Sequence, residues 1–152
     1  MARYHRFFAA VPELALNTTV SPVTPSRVAH LFFCHGAREP GWRAPFDAIV
    51  ARFGRARPQE PVALGFLELM EPDFETALAG LITPDVALVR VVPLFLAPGR
   101  HTRRDLPALI EAARQRWPAV RFEAMPTLLE NPAVLEAILA SSLPADAAEP
   151  TR

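Results

Sequence analysis

The sequence predicts an α/β protein built on a doubly wound, mostly parallel four-stranded sheet with helices on both faces. Three observations predict it. Strand-length apolar runs alternate with helical periodicities four times between residues 28 and 143. Two of those runs, within residues 31–34 and 86–96, are nearly continuously apolar, as strands covered on both faces must be. The chain has 152 residues, 51% of them hydrophobic, which is enough for one sizeable core and too short for two ordinary domains.

Each element has its own signal. Residues 28–34 form a strand-length apolar run that stops at the Gly- and Pro-punctuated stretch 36–41. Over residues 42–57, Phe46, Ile49, Val50 and Phe53 recur at helical spacing, and Gly54 and Pro58 end the helix. Residues 62–69 read as the second strand. A second helix over 73–81 puts Phe74, Ala77, Leu78 and Leu81 on one face, and Pro84 closes it. Residues 86–96 are the third strand, 104–117 the third helix, 120–125 the fourth strand and 132–143 the last helix. Residues 1–27 read as a poorly ordered leader rich in Thr, Ser and Pro, and 144–152 as a disordered tail, so residues 28–143 form the single expected domain.

Composition excludes several classes of function. Formal net charge is zero, whereas phosphate-backbone binding normally leaves a basic excess, so no nucleic-acid partner is expected. The single cysteine rules out an internal disulfide and any zinc site built on several thiolates, and fits a reducing, cytoplasmic setting. No apolar stretch reaches the ~20 residues needed to cross a bilayer, so no membrane association is expected. In the leader, Arg3 and Arg6 precede a short apolar run that imitates a signal sequence until Pro12 and Glu13 interrupt it. All 16 basic residues are arginine, whose planar fork holds carboxylates through paired hydrogen bonds.

Ligands of doubly wound sheets bind beyond the carboxyl ends of the strands. There the sequence places His35 after the first strand, Glu68 at the close of the second and His101 in the loop after the third. Two imidazoles and a carboxylate, each one strand–helix unit apart, suit a late first-row divalent metal and leave coordination positions open. Taken singly, each would more simply be a loop residue satisfying backbone donors; their shared location favours the metal reading. Arg38, Arg43, Arg100, Arg103 and Arg104 flank the two histidines and predict a polyanionic ligand. Cys34 ends a buried strand and reads as an inert thiol. Phosphatase readings fail, because Cys34 and Arg38 are too close for an anion-cradling loop and no arginine precedes His35. His30 reads as a strand-edge residue and His5 as part of the leader.

Three ordered segments carry a family resemblance: Leu31, Phe32, Phe33, Cys34, His35, Gly36, Ala37, Arg38, Glu39, Pro40; then Gly65, Phe66, Leu67, Glu68, Leu69, Met70, Glu71, Pro72; then Val92, Pro93, Leu94, Phe95, Leu96, Ala97, Pro98, Gly99, Arg100, His101, followed by Asp105, Leu106 and Pro107. Together they resemble the short-form sirohydrochlorin chelatases of the CbiX/SirB type, over about residues 28–143. The resemblance implies a class II chelatase fold, a flavodoxin-like half module that pairs with a second copy as a homodimer. It implies insertion of a divalent metal into a carboxylate-rich tetrapyrrole in cobalamin or siroheme-type biosynthesis. Co²⁺ is the expected metal, Fe²⁺ and Ni²⁺ are alternatives, and no organic cofactor is implied. His35 and His101 match the family's metal-binding, catalytic histidines, and Glu68 matches its assisting acid. Ala37 stands where the family often has serine, and Pro98 where it has a small residue, which affects fine substrate preference rather than reaction class. Phe95, Leu96 and Trp42 are candidates for the apolar wall behind the macrocycle. A non-catalytic metal or tetrapyrrole carrier on the same fold is the alternative.

Overall fold

The computed structural model describes residues 26–143. Four strands, β1 (Arg27–Cys34), β2 (Val62–Phe66), β3 (Val86–Pro93) and β4 (Arg121–Ala124), alternate with four helices, α1 (Ala44–Ala56), α2 (Phe74–Leu81), α3 (Leu106–Arg116) and α4 (Pro132–Ser142). Short helical turns at Pro40–Arg43, His101–Asp105 and Leu128–Glu130 lead into α1, α3 and α4. The strands lie in the order β2-β1-β3-β4, and every pair is parallel. This is the doubly wound α/β sheet that the alternation predicts.

Alternation along each strand divides the core in two. Ala29, Leu31 and Phe33 of β1 and Val89 and Val91 of β3 face α2 and α3, joining Phe74, Leu78, Leu106, Ile110 and Phe122 in the larger cluster. The intervening residues Phe32 and Cys34, with Leu64 and Phe66 of β2, pack on the other face against Phe46, Val50 and Phe53 of α1. Capping sets the helix starts: the Asp73 carboxylate accepts the Thr76 amide at 2.8 Å, and Asn131 Oδ1 accepts the Ala133 amide at 3.0 Å.

Several expectations need correction. β2 stops at Phe66, so Glu68 lies in a turn two residues beyond the strand; Leu69, with φ of 64°, ends any extended run there. β3 likewise ends at Pro93, which lacks an amide to continue the ladder. Helical structure ahead of α3 starts early enough to include His101, so that residue is in a helical turn rather than a loop. His30 is not at a strand edge. It sits in central β1, only 6% exposed, with Nε2 2.6 Å from Glu60 Oε2 and its ring against Phe53. Arg27 belongs to β1, not to a leader: its guanidinium donates to Asp85 at 2.9 Å and to the Gln59 carbonyl at 2.8 Å. The rest of the expected leader, including His5, and the expected tail 144–152 lie outside the described residues, apart from Ser26. No helix among the described residues is long and apolar enough to cross a membrane.

Candidate metal-handling site

The chain winds in opposite directions from β1 and β3, which makes their carboxyl ends the topological switch point where ligands of such sheets bind. His35 leaves β1 at that point. Parallel pairing continues past the strand ends: the Leu67 amide bonds to the Cys34 carbonyl at 2.8 Å and the Glu68 amide to the His35 carbonyl at 3.0 Å. The turn carrying Glu68 is thereby tied to the backbone of His35. Gly36 makes that approach possible. It adopts φ of +93°, and a Cβ there would stand 1.9 Å from the Glu68 carbonyl oxygen, so only glycine fits.

His101 arrives from β3 through the turn at Gly99, where the Thr102 hydroxyl accepts the Gly99 amide at 2.8 Å. It opens a π-helical turn, His101–Asp105, whose wider winding is characteristic of functional positions. Asp105 follows four residues later, and its Oδ2 lies 2.7 Å from His101 Nδ1. A carboxylate there fixes the ring and leaves Nε2 as the free nitrogen. The His35 and His101 rings meet edge to face, centroids 4.7 Å apart and planes at 87°, while His35 also packs edge to face on Phe95 at 4.5 Å. Two nitrogens on one divalent ion stand about 3 Å apart when each bond is about 2.1 Å, a separation within reach of rings this close after small rotations.

Charge at the pair favours the metal-ready state. Burial lowers the pKa of His35 below the usual imidazole value, and nearby His101 lowers it further, with Glu68 opposing. His35 is therefore unprotonated at neutral pH. Cys34, one residue away, is a different case: it is 1% exposed, and burial pushes its thiol up to about 12, so the inert-thiol expectation holds.

The remaining site residues divide into two groups. Arg43 is already engaged, forking onto Asp47 at 2.9 and 3.1 Å, donating to the Glu71 carbonyl at 2.8 Å and lying over the Phe66 ring. Its role is to brace the Glu68 turn against α1. Arg38, Arg100, Arg103 and Arg104 are exposed and make no side-chain hydrogen bond or ion pair among the described residues. Glu68 is exposed and close enough to raise the His35 pKa, yet no three His, Cys, Asp or Glu side chains among the described residues converge to hold an ion by themselves. Of the apolar candidates, Phe95 is buried beneath His35, whereas Trp42 and Leu96 are exposed, Leu96 at 60%. A hollow of about 370 Å³ lined by Pro98, Thr102, Arg103, Met125, Thr127 and Glu130 adjoins the His101 turn. Asp105 was missed as a partner for His101; the His-x-x-x-Asp spacing was the available signal.

A doubly wound α/β module brings an oriented histidine pair and, among the described residues, unpaired arginines to its topological switch point. The chain belongs to the CbiX family, whose model matches residues 29–143. It is 36% identical over 83 residues to a sirohydrochlorin cobaltochelatase of Methanopyrus kandleri, covering 55% of this chain and 58% of that one. A CbiX protein from Marinobacter aquaeolei superposes with a TM-score of 0.66 at 28% identity, covering 76% of this chain and 93% of that one. The sirohydrochlorin chelatase SirB from Bacillus subtilis subspecies spizizenii, in complex with cobalt, gives a TM-score of 0.61 at 27% identity, covering 66% of this chain and 44% of that one. The chain thus spans little more than half the length of the curated relative it matches and under half of SirB.

Proposed function

We propose that this protein is a sirohydrochlorin chelatase, which inserts a divalent metal into a carboxylate-rich tetrapyrrole. The observation that carries the reading is the His35–His101 pair, oriented by Asp105 at the carboxyl edge of a CbiX-family sheet. Metalation releases two inner N–H protons as the ion exchanges its ligands for pyrrole nitrogens. His35 and His101 hold the incoming ion as substrate, Glu68 or a freed imidazole takes up one macrocycle proton, and the second passes to solvent. Arg38, Arg100, Arg103 and Arg104 bind the peripheral carboxylates. Phe95 supports His35 from below, and Leu96 and Trp42 offer apolar surface to the macrocycle.

Among the described residues the two imidazoles have no third protein ligand beside them, an arrangement that would leave open positions for transfer, whereas closed coordination shells are typical of structural sites. This favours a chelatase over a carrier. The similarity to a cobaltochelatase and to a cobalt complex of SirB supports Co²⁺ in a cobalamin-type pathway, with Fe²⁺ and Ni²⁺ as competitors. Residues 28–143 act as one module, in the cytoplasm and as a homodimer. The test is anaerobic absorbance of the protein with sirohydrochlorin and each of Co²⁺, Fe²⁺ and Ni²⁺, against a no-enzyme control. Multiple turnovers above the spontaneous rate, reduced at least 100-fold in His101→Ala, are expected. Tetrapyrrole binding without rate enhancement would identify a carrier instead.

A further inference from the structure

Leu69 is an exposed leucine in a backbone conformation that leucine rarely adopts. Its φ of 64° is the only positive φ at a non-glycine residue among the described residues. In that left-handed region the β-carbon crowds the following carbonyl oxygen, a clash that glycine escapes. A turn that needed the backbone alone would be better served by glycine, as at Gly36, where a φ of +93° carries no side chain.

The fold holds the turn from both ends. At its start the Leu67 and Glu68 amides bond to the Cys34 and His35 carbonyls at 2.8 and 3.0 Å. At its end the Pro72 carbonyl accepts the Phe66 amide at 2.9 Å, and Arg43 donates to the Glu71 carbonyl at 2.8 Å. Such surroundings keep a residue in a sparsely populated region despite the clash. The side chain gains little inside the chain in return. Met70, the next residue, packs into the cluster of Phe46, Val50 and Phe53 beneath α1, whereas Leu69 is 57% exposed and belongs to neither core cluster.

Its place in the fold points to what it meets. Each of the strands β1, β2 and β3 is followed, before its helix begins, by one large exposed apolar side chain: Trp42, Leu69 and Leu96 in turn. β2 and β3 flank β1 at about 5 Å each, so the exits carrying Leu69 and Leu96 lie on either side of the one carrying His35. Arg38 and Arg100, exposed on two of the same exits, add positive charge to this apolar edge. A ligand that satisfies both is flat and apolar at its centre and anionic at its rim.

We infer that Leu69 is a substrate-contact residue, held out at the carboxyl edge to meet the apolar face of the tetrapyrrole. This rests on the chelatase reading above and adds to it a contact on the β2 side of the histidine pair. The macrocycle then lies across the end of β1 instead of resting on the β3 exit alone. The turn that carries Glu68 thereby serves twice, once through its carboxylate and once through the apolar residue that follows it.

The test is binding of metal-free sirohydrochlorin, followed by absorbance, to the wild type, Leu69→Gly and Leu69→Met, with thermal unfolding and sedimentation of each protein alongside. Leu69→Gly removes the side chain and the clash together, so its thermal midpoint should equal or exceed that of the wild type. Its Kd for sirohydrochlorin should nevertheless rise about 10-fold, the loss expected when a leucine side chain is withdrawn from an apolar contact. Leu69→Met keeps a large apolar side chain and should bind close to wild type. Unchanged binding by Leu69→Gly would overturn the assignment, whether or not its sedimentation changed. Equal weakening in both variants would trace the loss to the turn, and a lower midpoint in Leu69→Gly would show the side chain packing within the fold; either result also overturns it. A wild type that neither binds nor metalates sirohydrochlorin would overturn the chelatase reading itself, and this contact with it.

Discussion

At the residue scale, the site depends on how one imidazole is held. His101 and Asp105 are 2.7 Å apart with roughly a third of each side chain exposed, so the pair adds little to stability as a salt bridge; its value is orientation. Removing such a carboxylate typically costs 10- to 100-fold in metal affinity. Asp105→Ala should therefore weaken Co²⁺ binding, followed by calorimetry in the absence of tetrapyrrole, by about that factor. Asp105→Asn, which keeps a hydrogen-bond acceptor, should recover most of the loss; equal losses in both variants would show that charge, and not orientation, is what Asp105 supplies. Among the described residues His35 has no such carboxylate anchor, its ring resting on Phe95 and His101, which would leave it freer to let go of an ion.

Among the elements, α2 offers the clearest balance of forces. The Asp73 carboxylate accepts the Thr76 amide, and that hydrogen bond holds its pKa below the ordinary value. A depressed carboxylate stabilises the folded state above its unfolded pKa and loses that contribution as pH falls through the folded value. Asp73→Ala should cost about 1 kcal/mol at pH 7, and that cost should shrink as pH falls below the unfolded carboxylate value, measured by urea unfolding along a pH series. Much of this level was legible in the sequence. Continuous apolar runs located β1 and β3, and Phe74, Ala77, Leu78 and Leu81 gave the buried face of α2. The ends of elements were less legible, because Leu67 and Glu68 still bond to the Cys34 and His35 carbonyls, while the extended run is broken by the positive φ of Leu69, which the sequence does not signal. The His30–Glu60 contact was invisible, since its partners are thirty residues apart and meet only once β1 and β2 pair. His35, Glu68 and His101 were all placed at the correct edge of the sheet; their spacing alone could not show that two of them touch while the third stays in the turn.

For the whole molecule, α4 leaves Leu135, Ile138 and Leu139 at 42, 41 and 56% exposure among the described residues. If the homodimer proposed above forms, the folded state gains stability by mass action, so the thermal midpoint should rise with protein concentration. Calorimetric scans across a 100-fold concentration range check this, and Leu139→Asp should unfold at one temperature throughout. The turn that aims α4 has a further consequence. Its amides bond to Phe95 and Leu96, on the same exit from β3 that leads to His101. The proposed association and the proposed tetrapyrrole binding would therefore share a piece of backbone, and thermodynamic linkage requires any coupling between them to run equally both ways. Under the proposed function, whatever factor a second subunit contributed to tetrapyrrole affinity, bound tetrapyrrole would return to the subunits as tighter assembly.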